Sequence, residues 1–428
     1  MLTRRRFLNA GVIGTGLGFA TVSGASTARH SPNAHPFPHL KSRRGEASPI
    51  TAEEYRDRHD RARSLMVREG LDAIVIAEGT SLTYFTGAKW WGSERLFAAV
   101  IPARGDAFYV CPAFEEARAR EQIRLPSGST ALDVRVWQED RSPYETLAQG
   151  LHDRGIATGR LGLEENVRFV FADGIGRAAP QAHLVSATSV TAGCRMIKSA
   201  HEIALMRLAS EVTWAAYEAT WSALKPGITP SQITALSADA HRALGFEGAA
   251  DLVLIGAAAS FPHGSVQATY LQENSLVLFD GGCDVLGYKS DISRTFVLGR
   301  PTDRMRHVFD VVKAAQSAAL ATARPGVACG AVDAAARKVV DDAGFGPDYA
   351  HFTHRVGHGM GMDGHEWPYL VRGNATLLAA GMTTSNEPGI YLAGEFGVRL
   401  EDDMHITDNG AELFTPQSAS LEHPFARD

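Results

Sequence analysis

Between residues 52 and 192 the apolar positions come in short runs separated by turn formers. Ala73-Ile74-Val75-Ile76-Ala77 is apolar at every position, the pattern of a strand covered on both faces. Leu82-Thr83-Tyr84-Phe85-Thr86-Gly87, Phe97 to Ile101, Ala107 to Val110 and Asp133 to Trp137 read as further strands, rich in β-branched and aromatic residues. Helices are predicted from Ala52 to Glu69, closed by Gly70, and from Pro143 to Arg154. Strands alternating with helices predict an α/β layer. Trp90-Trp91 falls in a Gly-flanked loop and reads as packing.

The period changes near Gly193. Ile203, Met206, Ala209, Val212 and Ala216 recur at helical spacing and predict a long amphipathic helix from Met196 to about Leu224. Pro226-Gly227 ends it, and Thr229-Pro230 starts the next. A second block repeats the order: helix from Thr302 to Ala323, Pro325-Gly326, helix from Ala331 to Ala343. This weak duplication predicts two similar halves packed about a pseudo-twofold axis.

Length and composition add bounds. A chain of 428 residues exceeds one ordinary core, which points to two domains. Hydrophobic content of 45% with 21% charged residues is that of a globular protein. A net charge of −6 gives no reason to expect nucleic acid, which would favour a basic face. Cys111, Cys194, Cys283 and Cys329 show no paired spacing and read as packing residues, Cys283 included although it lies three positions after Asp280.

The N-terminus does not read as fold. Thr3-Arg4-Arg5-Arg6-Phe7-Leu8-Asn9 resembles a twin-arginine export signal, with Asn9 where Lys is usual. No charge follows from Leu8 to Ala28, five glycines weaken any helix there, and Ser23-Gly24-Ala25 or Ser26-Thr27-Ala28 offer cleavage sites. So many Gly and Thr argue against a stable membrane anchor. Residues 1–28 are therefore expected to be a signal peptide read by the twin-arginine export machinery, and the protein to be exported, periplasmic or secreted. Residues 29–49, rich in proline and carrying His30, His35 and His39, are expected to form a disordered linker rather than a metal site. Domains are expected over 50–192 and 193–428.

Candidate chemistry concentrates between Phe279 and Asp403. Asp280, Asp291, His358, Glu387 and Glu401 form a hard, oxygen-rich set suited to Mn, Co or Zn. Four ionised carboxylates carry about four negative charges, which two divalent cations would cancel. Such a pair activates a bridging water and polarises a carbonyl or phosphoryl oxygen. Taken singly, an Asp before Gly-Gly is more often a turn residue and a Glu before Pro-Gly a loop residue.

Order and flanking residues carry a resemblance. Asp280-Gly281-Gly282, Ser290-Asp291-Ile292-Ser293-Arg294-Thr295, Gly357-His358-Gly359, Glu387-Pro388-Gly389-Ile390-Tyr391 and Arg399-Leu400-Glu401-Asp402 resemble the five ligand motifs of the pita-bread metallopeptidases. That family includes methionine aminopeptidase, aminopeptidase P and prolidase. Gly70-Leu71-Asp72-Ala73-Ile74 and Tyr84-Phe85-Thr86-Gly87 resemble its creatinase-type N-terminal domain, which methionine aminopeptidases generally lack. The implied class is α+β, a pita-bread catalytic domain with pseudo-twofold halves behind a creatinase-like α/β domain.

The resemblance also implies roles. Asp291 and Glu401 would bridge two divalent ions, Mn2+ first with Co2+ or Zn2+ as alternatives; Asp280 would chelate one and His358 bind the other. Glu387 would ligate and act as general base. His263 and His365 match the family's two non-ligand histidines, and His354 a further one near the ligands. Arg399 is expected to orient the carboxylates by bidentate hydrogen bonding. The short spacing of 14 positions between Glu387 and Glu401 looks more like prolidase-type dipeptidases than aminopeptidases P. Arg372 is a candidate to receive a dipeptide's free carboxylate, against the alternative of a solvated surface charge. The implied activity is hydrolysis of Xaa-Pro bonds in short proline-containing peptides, with a homodimer as the family expectation. Aminopeptidase P activity on longer peptides, a hydrolase or lyase of a small non-peptide, and a silent binding protein are the rivals. The last is disfavoured because all five ligand positions are kept.

Overall fold

A computed structural model describes residues 36–123, 132–248 and 251–426. The expected signal segment and the first part of the linker lie outside the described residues.

The first half is built on one mixed sheet. In chain order it holds α1 (Ala52–Glu69), β1 (Ala73–Ile76), α2 (Thr80–Thr86), β2 (Ala98–Pro102), β3 (Phe108–Pro112), α3 (Glu116–Gln122), β4 (Asp133–Trp137), α4 (Pro143–Asp153), β5 (Arg160–Leu163), α5 (Phe169–Ala178), β6 (His183–Ser186) and α6 (Thr188–Arg195). The strand order is β4-β3-β2-β1-β5-β6, with β1, β2 and β3 antiparallel neighbours and the outer pairs parallel. Alternation along β1 explains its unbroken apolar run. Ile74 and Ile76 pack with Met66 of α1 and Leu82 of α2, while Ala73 and Val75 pack with Leu151 of α4 and Phe171 of α5.

Three expectations are corrected. Leu82 to Thr86 is helical, not a strand: Gly79 and Gly87 at φ 129° and 76° bracket a short helix that buries Ser81, Leu82, Tyr84, Phe85 and Thr86. Its β-branched and aromatic residues stay helical because burial on several faces outweighs propensity. Residues 36–49 do not hang free as a linker. Phe37 is buried against the two helices that open the second half, and the Arg43 amide donates to the Leu244 carbonyl. Finally, the long helix begins four residues later than expected, because Ser199 and Glu202 form a reciprocal cap.

The second half contains α7 (Ala200–Ser222), α8 (Pro230–Ala243), β7 (Leu252–Ile255), β8 (Ser275–Gly281), β9 (Asp284–Val285), β10 (Tyr288–Lys289), β11 (Ile292–Leu298), α9 (Asp303–Thr322), α10 (Cys329–Asp342), β12 (Gly357–Gly359), β13 (Glu366–Leu370), β14 (Thr383–Asn386), β15 (Gly389–Leu392), β16 (Phe396–Arg399), β17 (Asp402–Ile406) and β18 (Ala411–Leu413). Two helices followed by antiparallel strands occur twice, giving sheets β11-β8-β7 and β13-β12-β14-β17-β18. Glu401 N–H donates to the Ser293 carbonyl at 3.1 Å, and Arg294, fully buried, donates to the Glu401 carbonyl and to Asp402. These bonds fasten the two sheets where the carboxylates converge.

Candidate metal centre

Strand register brings distant residues together. Asp280, next to last in β8, sits opposite Ser293 of β11, and Asp291 directly precedes β11. A Cβ at Gly282 would lie 1.9 Å from the Ser290 carbonyl oxygen, so only glycine lets the chain near the two aspartates approach this closely. Asn386 of β14 pairs with Asp402 of β17, which places Glu387 and Glu401 side by side where these strands end and begin. His358 lies on β12, next to β14 and at an irregularity in the pairing with β13.

All five residues line one cavity of about 450 Å³. Ligating atoms of Asp280, Asp291 and Glu401 lie within 4.8 Å of one another, as do those of His358, Glu387 and Glu401. His358 Nε2 is 3.1 Å from Glu387 Oε1 and 4.0 Å from Asp291 Oδ2.

The donor set calls for positive charge. Ser293 Oγ contacts Asp280 at 2.9 Å and Glu401 at 2.6 Å, yet a hydroxyl has one hydrogen to give. Burial, and then repulsion from neighbouring carboxylates, pushes the acids of Asp291 and Glu401 well above the carboxylate range. Burial raises Glu387 too, but the hydrogen bond and charge of His358, with His354 and Arg399, bring it down to about 2. Like charges this close repel unless cations sit between them, and oxygen-rich donors with one imidazole fit divalent ions.

The remaining predicted residues separate into two groups. His263, His354, His365 and Arg399 line the cavity, whereas Arg372 does not. The His365 ring stacks on His358 at 3.7 Å between centroids. Burial, followed by the neighbouring His358, lowers the His365 pKa to about 4. His354 Nε2 and the Tyr391 hydroxyl are 2.8 Å apart, and His354 Nδ1 lies 4.0 Å from Glu387.

Two expectations need correction here. Arg399 is not bidentate on a carboxylate. Its Nη2 donates to Asp280 at 2.5 Å and its Nε to Ser293, while Nη1 donates to Tyr391 and the Pro262 carbonyl. The guanidinium therefore reaches Glu401 only through the Ser293 hydroxyl. Arg372 is half-exposed and paired with Asp348 at 2.7 Å, outside the cavity lining.

Arg355 was missed by sequence reasoning. It lines the cavity, lies over the Tyr369 ring at 4.3 Å, and places Nη2 3.1 Å from His365 Nδ1. Its only sequence signal is a position three before His358. Trp90 and Trp91, by contrast, line a separate groove, where Arg118 lies over both rings and Trp90 stacks on Phe97.

Residues 204–408 match the model of metallopeptidase family M24, and residues 58–197 match the creatinase/prolidase N-terminal domain. The chain belongs to metallopeptidase family M24. This peptidase is 32% identical over 368 residues to a putative dipeptidase of Bacillus subtilis (strain 168), covering 85% of this chain and 99% of the relative. It is 31% identical over 370 residues to an Xaa-Pro dipeptidase of Lactobacillus delbrueckii subsp. lactis, covering 85% and 98%. The crystal structure of dipeptidase PepE from Mycobacterium ulcerans superimposes with a TM-score of 0.81 at 33% identity, over 88% of this chain and 99% of that one. The fold is thus the α+β pita-bread catalytic domain behind a creatinase-type domain, and the site is that of a metal-dependent hydrolase.

Proposed function

We propose that this peptidase is an exported Xaa-Pro dipeptidase that works with two divalent metal ions. The observation that carries the reading is one cavity of about 450 Å³ with the carboxylate cluster and Arg355 both in its lining. That volume falls low in the ~300–1,000 Å³ range of small-molecule sites, a size suited to a dipeptide. Arg355 makes no ion pair among the described residues, and a guanidinium in a cavity lining suits a free carboxylate. Relatives named as dipeptidases and as an Xaa-Pro dipeptidase support the substrate class. Export rests on the arginine pair at Arg4-Arg5 and the uncharged stretch behind it.

Asp280, Asp291 and Glu401 would hold the ions together with His358 and Glu387. Bound there, the ions would supply a nucleophilic water at neutral pH and polarise the scissile carbonyl. Arg399 and Ser293 hold Asp280 and Glu401 in place, and Ser385 donates to Glu387 at 3.2 Å. Glu387, held ionised by the hydrogen bond and charge of His358, would accept a proton from the attacking water. His365 and His263, both in the cavity lining, would stabilise the developing oxyanion and serve the leaving imide nitrogen. The proline nitrogen, like any amide leaving group, must receive a proton as the C–N bond breaks.

Product analysis of Ala-Pro and Ala-Pro-Ala with the Mn2+-loaded mature chain tests the reading. Cleavage of the dipeptide alone is expected. Release of Ala from the tripeptide would move the assignment to an aminopeptidase P, and cleavage of neither would favour a small non-peptide substrate.

A further inference from the structure

The turn bearing His365, residues 361–365, has no regular secondary structure. Its fasteners reach outside its own half of the molecule. Asp363 accepts from Thr80 of α2 at 2.6 Å and from Arg195 of α6 at 2.6 Å. Glu366, adjacent to His365, accepts from the same Arg195 Nη2 at 2.5 Å and, through its other oxygen, from Lys198 at 2.7 Å. Trp367 Nε1 donates to Glu165 at 3.4 Å. Arg195 also donates to Ser81 at 3.2 Å.

Arg195, Lys198 and Glu366 are all buried, and Glu366 is 7% exposed. Burying this many charges gives little net stability over apolar packing, because desolvation offsets the attraction. What such a cluster does provide is a fixed geometry. The space is also closed: a Cβ at Gly361 would lie 2.6 Å from Glu366 Oε1 and 2.8 Å from Lys198 Cε. Arg195 and Lys198 flank the end of the stretch that matches the creatinase-type domain, so the clamp sits where the two domains join.

We propose that Glu366, gripped by Arg195 and Lys198, is a positioning residue that fixes His365 over the cavity, and that the N-terminal domain thereby sets the geometry of the hydrolytic site. The effect on turnover rests on the role given to His365 above; the ordering of the turn does not. His365 stacks on His358 and touches Arg355, contacts that a shift of the turn would break together.

The decisive variant is Arg195→Met/Glu366→Gln, which removes one charge of each sign and keeps the cluster balanced. For Ala-Pro hydrolysis kcat should fall about 10- to 100-fold, with KM changed less than about threefold and bound metal per chain unchanged. Amide hydrogen exchange over residues 361–367 should accelerate while that of α10 stays constant. Glu366→Asp, which keeps the charge, should recover part of kcat. Unchanged exchange in the turn, unchanged kcat, or a kcat loss matched by lost metal would each overturn the inference. If the parent chain hydrolyses no Ala-Pro, the hydrolytic reading fails on its own. The exchange measurement then decides the clamp separately, acceleration supporting it and constancy refuting it.

Discussion

Arg355 and Arg372 show how much one side chain's surroundings decide. Both are arginines near the ligand motifs, but Arg372 pairs with Asp348 at the surface while Arg355 borders the cavity with no ion pair among the described residues. Arg355→Met should raise KM for Ala-Pro about tenfold, near the lower end of a charge-assisted hydrogen bond, and raise that for the C-terminally amidated dipeptide much less. Steady-state kinetics on the two substrates checks this, and an equal loss on both would remove Arg355 from carboxylate recognition. The ligand residues were legible because each carries a local word around it, such as Ser290-Asp291-Ile292-Ser293. Arg355, Tyr391 and the sharing of Ser293 between Asp280 and Glu401 were not, because they depend on strand register rather than on neighbours in sequence.

At the scale of elements, close backbone approach positions the site. Strands β8 and β11 run antiparallel from Gly281 opposite Ile292, and Gly282 lies against the carbonyl of Ser290. Gly282→Ala must push this backbone apart, so a loss of about 1–3 kcal/mol is expected, with weaker metal binding because Asp280 and Asp291 part. Denaturant unfolding with and without Mn2+ reads both effects; undiminished metal stabilisation would contradict the coupling. Strand β1 and helices α1, α4, α9 and α10 were readable from period and caps. Helix α2 was not: Leu82 to Thr86 has strand-like composition, and its helical state comes from being packed on several sides between two glycines.

Across the whole molecule, buried histidines link stability to acidity. Burial lowers the pKa of His59 in the N-terminal domain and of His241 in the catalytic domain to about 4, despite a backbone hydrogen bond to each. Unfolded histidines protonate near 6.5, so the unfolded chain takes up these protons first. Stability therefore drains as pH falls from about 6.5 to about 4, by roughly 3 kcal/mol for each ring. His241→Gln should make this decline shallower in denaturant titrations at pH 7, 5.5 and 4.5, and an identical slope would contradict the assignment. The two-half plan was visible in the repeated helix, Pro-Gly, helix order, whereas the buried grip of Arg58 of α1 on Glu202 of α7 and Tyr288 of β10 left no local signal. Everything converges on one carboxylate-rich cluster at the meeting of the two halves. The most direct test is to count divalent ions bound per chain at saturation, by calorimetric titration of metal-free protein with Mn2+. The account predicts two ions, with the count reduced in Asp291→Asn; one ion or none, with the variant indistinguishable from the parent, would contradict it.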